Sequence, residues 1–273
     1  MTDLTLDQAR GEVAALNERV DAAKAAGAFE QNRAAFEQEL RDIFGRTSVA
    51  QADGSKPELS VLYSGDLDET SSVSGHQIAV QIAKENPKQV GIIDNTHAGK
   101  LAEASEAKAA LAKLFGDFNS AEAKAFMYPP RGGPGTPGVF DAMSERFAAA
   151  AKGNVVSLSP VANPAKTLSV TEIPTLLQNP NIKSINGLDI ELYRTIYKTA
   201  LGGGKDAAAA NAAVASAVNA RSADLLNGAA YYREGNTTKL PNLGTLLNKF
   251  GINGIVDTLV PPGAQTGILN ALN

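Results

Sequence analysis

The sequence predicts an α/β fold: a small parallel sheet with flanking helices, preceded by an N-terminal helical segment and followed by a helical C-terminal tail. Between Leu59 and about Ile185, short apolar runs alternate with helix-length stretches, the rhythm of right-handed strand–helix–strand crossovers. Before that region apolar residues recur only at helical spacing. After it, an aromatic-bearing stretch and then an alanine-rich one keep the helical character.

The first segment carries Leu6, Ala9, Val13, Leu16 and Val20, then Phe29, Ala34, Phe36, Leu40, Ile43 and Phe44, interleaved with charges. It predicts two amphipathic helices over 5–46, broken near Gly27 and closed by Gly45. Residues 47–57 hold Asp53-Gly54 and no apolar period, and read as a linker. Strands are expected near 59–63, 89–93, 153–158 and 181–185, with helices near 73–85, 102–115, 119–127 and 138–151. Between the last two helices, the run from Tyr128 to Gly138 is too rich in Gly and Pro for regular structure. It reads either as an exposed connection or as a binding loop in which Arg131 and backbone amides meet a pyrophosphate. Residues 188–201 predict a helix stopped by Gly202-Gly203-Gly204, Lys205–Leu226 an alanine-rich helix, and the tail holds Leu243–Phe250 and Ile252–Leu259. Three domains follow: 1–47, a helical segment packing on the core; 57–187, the core; and 188–273, a helical extension.

A chain of 273 residues can bury one substantial core, or one core and a small appendage. With 44% hydrophobic and 20% charged residues it has the composition of a globular protein. A net charge of −4 and a pI near 5.3 supply no basic field for nucleic acid or an anionic membrane. The opening residues show no Sec signal, and no apolar window approaches the ~18 residues that span a bilayer. The expected location is the cytoplasm, or outside the producer after delivery by a dedicated secretion system. The absence of cysteine removes disulfides and thiolate metal sites. His76 and His97, the only histidines, fall in different elements, which argues against a metal centre or a Ser–His pair. Asp66, Asp68 and Glu69 lack the spacing of a calcium loop and read as a solvated acidic turn.

In parallel sheets ligands collect beyond the carboxyl ends of the strands. Tyr63, Asp94 and Ser159 fall at such predicted ends. The run Phe140-Asp-Ala-Met-Ser144-Glu-Arg-Phe147-Ala148 puts an aromatic and a hydroxyl on one helix face at i and i+4. A strand follows, and then Thr167-Leu-Ser-Val-Thr-Glu172, read as a second extended piece ending in a carboxylate. An aromatic, a hydroxyl and a carboxylate together suit a flat cationic ring. On residue type alone, Glu172 equally reads as a helix N-terminal acid with Thr171 as cap and Pro174 in the first turn. Tyr63 and Phe140 equally read as core aromatics.

These motifs resemble the ADP-ribosyl cyclase/NAD glycohydrolase family over roughly residues 59–175. Tyr63-Ser64 stands where the family carries Trp-Ser, and Asp94-Asn95-Thr96 with Gly99 where it carries an acidic pair, Thr and Gly. Phe140 stands on a second Trp, Ser144 on the family's Ser, and Glu172 on its catalytic Glu. The chain departs from the animal members in having no disulfides and no tryptophan. The resemblance implies an NAD-consuming enzyme that cleaves the nicotinamide–ribose bond, giving nicotinamide with ADP-ribose, cyclic ADP-ribose or both. NAD is then the substrate, with no cofactor or metal. Glu172 would stabilise the ribosyl cation, Tyr63 and Phe140 sandwich the nicotinamide, Asp94 or Asn95 hold its carboxamide, and Ser144 contact the ribose or its phosphate. Such a disulfide-free, alanine-rich chain suits a bacterial effector or toxin with an immunity or delivery protein as partner, and equally a resident enzyme producing a nucleotide signal. The alternative is a non-catalytic binding or structural protein whose helical ends mediate assembly.

Overall fold

The computed structural model describes residues 3–63, 74–128, 138–161, 167–226, 232–234 and 237–239. In chain order these form α1 (Leu6–Ala25), α2 (Phe29–Arg46), β1 (Leu59–Tyr63), α3 (Gly75–Glu85), β2 (Val90–Gly91), α4 (His97–Glu103), α5 (Ser105–Phe115), α6 (Ala121–Met127) and α7 (Val139–Ala150). There follow β3 (Gly153–Leu158), α8 (Ile173–Gln178), β4 (Ile182–Ile185), β5 (Leu188–Asp189), α9 (Ile190–Gly202), α10 (Ala207–Leu226) and the hairpin strands β6 (Tyr232–Glu234) and β7 (Thr237–Lys239). Ser64, the acidic turn at 66–69, Arg131 and the tail segments beyond residue 240 lie outside the described residues. The chain is mixed α/β and divides into two compact units, each built from two stretches: 1–54 with 93–147, and 55–92 with 148–273.

The first unit is helical. Thr5 caps α1 through a capping box: its hydroxyl accepts the Gln8 amide at 3.4 Å while the Gln8 side chain accepts the Thr5 amide at 2.9 Å. The helix then buries Ala9, Val13, Leu16 and Val20 as one stripe against α2 and α5. Gly45 does not close α2, because it keeps a helical conformation; the helix ends at Thr47, whose hydroxyl returns to the Ile43 carbonyl at 2.7 Å. The stretch expected as one helix over 102–115 is two, α4 and α5, parted by an extended Ala104 (ψ 145°).

The second unit holds a five-stranded sheet in the order β2-β1-β3-β4-β5, parallel except for β5. On one face Leu59, Val61, Val156 and Leu158 pack on Ile78, Ala79 and Ile82 of α3. Helix α3 approaches so closely at Gly75 that a Cβ there would lie 2.3 Å from the Leu158 carbonyl oxygen, so only glycine fits. The strand expected over 89–93 is confined to Val90–Gly91 and gives way to a 3-10 turn at Ile93–Asn95. The segment read as extended, 167–172, is helical: Leu168–Glu172 is a π-turn leading into α8. Pro174 has no amide to bond back to Val170, and the turn before it closes instead from the Ile173 amide to the Leu168 carbonyl. The edge strand β5 is an addition to the expected set. Asn186 (φ 51°) and Gly187 (φ 75°) form the two-residue, positive-φ turn that joins it to β4 as a hairpin.

Asn179 locks the C-terminus of α7 to the loop before β4. Its side-chain amide donates to the carbonyls of Ala148, Ala149 and Ala151 at 3.1, 3.0 and 2.9 Å, and its carbonyl accepts the Asn181 amide at 2.9 Å. Replacing Asn179 by Ala leaves buried carbonyls without their donor and should cost about 1–3 kcal/mol. Asn179→Asp, which turns an oxygen on three carbonyl oxygens, should cost more; urea unfolding of the two variants checks the order.

Candidate functional site

Beyond the last ladder contact between β3 and β4, the edge of β3 is completed by side chains. The Asn186 side chain accepts the Ser157 amide at 2.7 Å and donates to the Ser157 and Val218 carbonyls at 3.4 and 3.3 Å. Ser222, on α10, donates to the Ser157 carbonyl at 2.8 Å and accepts the Ser159 amide at 3.0 Å. The Arg221 guanidinium donates to the Asn186 carbonyl at 3.3 Å, and the buried Tyr193 hydroxyl donates to the Ile185 carbonyl at 3.2 Å. Burial, only partly offset by the positive Arg221, holds that phenol above its ordinary value.

The π-turn bearing Glu172 packs on α10, and α10 packs on β3. The unit therefore buries Ser157, Ser159, Ser169, Glu172, Asn186, Asn219 and Ser222, none more than 5% exposed. Polar groups at this density are costly in an apolar core unless they hydrogen-bond or serve a ligand. Glu172 stands at the N-cap position of α8 with Pro174 in the first turn, as the helix N-terminal reading expects, but its side chain makes no capping bond there and Thr171 is not the cap. Tyr63, in the same unit, pairs in register with Leu158 and sets its ring 5.1 Å from that of His76, tilted by 44°. A cleft of about 200 Å³ runs along α8 and α9, lined by Pro174, Leu177, Arg194, Tyr197 and Lys198; Glu172 does not line it.

Asp94, Asn95, Phe140 and Ser144 belong to the first unit. Asp94 and Asn95 sit half-buried on the 3-10 turn, which is fixed at both ends. The Asn95 carbonyl accepts the Ala52 amide at 2.8 Å. Thr96, fully buried, donates to the Ile93 carbonyl at 2.6 Å and caps α4 by accepting the Gly99 amide at 3.0 Å. Thr and Gly at this spacing thus serve the turn that presents Asp94. His97, adjacent in sequence, has a structural role: its Nδ1 accepts the Leu6 amide at 3.1 Å, the first of α1.

Phe140 and Ser144 share a face of α7 one turn apart, Ser144 9% exposed. Across Phe140 lies Tyr128, whose role the sequence reading passed over; the two rings stack at 4.4 Å between centroids and 10° between planes. Partial desolvation, followed by the negative charges of Glu103 and Asp94, raises the Tyr128 phenol above its usual value. Asp94, Tyr128 and Phe140 therefore form one acid-flanked aromatic group within this unit. Among the described residues no group of three or more His, Asp or Glu is placed to hold a metal ion, and no helix is long and apolar enough to cross a membrane.

No protein-family model matches the chain, and neither a curated protein nor a solved structure does.

Gly99 tests whether the Asp94 turn is as tightly built as it looks. A Cβ there would lie 2.1 Å from the Ile93 carbonyl oxygen and 2.7 Å from the Asp94 Cα, both backbone atoms. Gly99→Ala should cost about 1–3 kcal/mol or more, the range of overpacking substitutions. A chemical-denaturation midpoint equal to that of the unaltered chain would show that the turn yields freely.

Proposed function

We propose that the chain cleaves the nicotinamide–ribose bond of NAD, releasing nicotinamide and giving ADP-ribose, cyclic ADP-ribose or both. The supporting observation is Glu172, a carboxylate only 5% exposed on a π-turn, within a unit rich in buried hydroxyls and amides. Heterolysis of the glycosidic C–N bond sends its electron pair to the pyridinium nitrogen. Nicotinamide departs neutral, and the positive charge passes to the ribosyl C1′ and ring oxygen. An ionised carboxylate shielded from water favours that transition state over the ground state, because its field is already oriented when the charge develops. Water then adds to C1′ and loses a proton to give ADP-ribose, or an adenine nitrogen attacks to close the cyclic product.

The other residues are assigned to binding. Phe140 stacks the pyridinium, where cation–π attraction contributes on the order of 1 kcal/mol or more once the ring is desolvated. That attraction fades as the ring becomes neutral, so it serves binding more than chemistry. From the resemblance we assign Tyr63, Ser64, Asp94, Asn95 and Ser144 to substrate binding as well. An effector with an immunity protein in its producer is the role we attach to this activity from the cysteine-free, alanine-rich composition, with a resident enzyme that makes a nucleotide signal as the alternative.

Purified chain incubated with NAD should release nicotinamide above a protein-free control. Glu172→Gln keeps the size and removes the charge, and should lower turnover by about a hundredfold or more without loss of the folded state. No nicotinamide from the unaltered chain would refute the activity, and near-normal turnover by the Gln variant would refute the role of Glu172.

A further inference from the structure

The stacked pair of the first unit is asymmetric. Phe140 is partly buried on α7 between Val139 and Met143, 3% and 1% exposed, and is held by the helix that carries it. Tyr128 is 59% exposed and follows the last residue of α6, whose preceding side chains Phe126 and Met127 are buried. Phe126 is anchored further by Phe115 at 5.3 Å and by the Arg41 guanidinium at 4.2 Å. The Tyr128 ring is thus held at an exposed position just past the end of α6, whereas Phe140 is held within α7.

The spacing decides what the pair can hold. A ring inserted between two aromatic walls needs about 3.5 Å on each side, or about 7 Å between the walls. The centroids of Tyr128 and Phe140 are 4.4 Å apart, so nothing fits between them. Tyr128 itself covers the face of Phe140 on which a ligand ring would lie. The π face of Phe140 suits a planar cation, and the negative charges of Asp94 and Glu103 that bear on Tyr128 agree with that sign.

Resting on the assignment of Phe140 to ring binding, we propose that Tyr128 is a self-occluding side chain: it stacks on Phe140 in the empty protein, and a planar aromatic cation of the pyridinium class binds by displacing it. The simpler role, in which the two rings only tie together the ends of the Gly- and Pro-rich segment between them, makes the opposite forecast for affinity. Removing an occluding ring tightens binding. Removing an end clamp leaves it unchanged or weakens it.

The test is calorimetric titration of the full chain with 1-methylnicotinamide, a stable pyridinium cation that binds without turnover. Tyr128→Ala should bind more tightly than the unaltered chain, by up to about tenfold, the strength of one aromatic pair. Tyr128→Phe, which keeps the stack, should match the unaltered chain, and Phe140→Ala should bind more weakly. Tyr128→Leu, which keeps apolar bulk but cannot stack, serves if the Ala variant fails to fold by circular dichroism, and should also show the gain. Equal or weaker binding by the folded Tyr128 variant, or no binding by any of the proteins, overturns the occlusion. The outcome is separable from that of the catalytic reading. Nicotinamide release with no affinity gain sinks only the occlusion, and an affinity gain with no nicotinamide release sinks only the enzyme.

Discussion

The second unit depends on one substitution of side chain for main chain. Strand β4 turns away at Asn186, after its amide has bonded the Val155 carbonyl at 2.9 Å, while β3 runs on to Leu158. Ser157 and Ser159 are left with buried backbone groups on that edge, and buried amides and carbonyls without partners are destabilising. The Asn186 amide and the Ser222 hydroxyl fill the gap. Both must be placed to within hydrogen-bond tolerance. Asn186 achieves this through the positive-φ turn of the β4–β5 hairpin, and Ser222 through α10. The polar end of β3 therefore fixes the hairpin and the helix together.

Glu172 inherits its position from this arrangement. The π-turn that carries it rests on α10, and α10 is registered to β3 through Ser222. A carboxylate exposed to water would be screened and mobile. One held 5% exposed on a backbone with a closed i→i−5 bond is neither. Desolvation of such a group is costly unless hydrogen bonds or an opposite charge, the protein's or a ligand's, offset it. In the first unit the logic is the same on a smaller scale: Thr96 and Gly99 make a turn with no slack, and that turn presents Asp94.

The strands at 59–63, 153–158 and 182–185 were legible because each is a short stretch carrying Val, Ile, Leu or Tyr between Gly, Pro or Asn. The Asn186-Gly187 turn was also written in the sequence, but the helical spacing that begins at Leu188 absorbed β5, whose two residues are too short to show alternation. Thr167–Glu172 looked extended because Thr and Val are β-formers. Packing on α10 and the constraint at Pro174 overrode that weak preference. Phe140 and Ser144 share a helix face as their i, i+4 spacing required. Tyr128 gave no such signal, since its contact with Phe140 closes across a Gly- and Pro-rich run and is set by tertiary structure alone.

Amide hydrogen exchange measures the side-chain completion of β3 directly, residue by residue. If Asn186 and Ser222 hold the strand end as described, the Ser157 and Ser159 amides should exchange as slowly as Val155 and Val156 in the middle of the strand, opening only when the unit unfolds. Exchange of Ser157 and Ser159 at the rate of a solvent-exposed turn, with Val155 and Val156 still protected, would contradict the account.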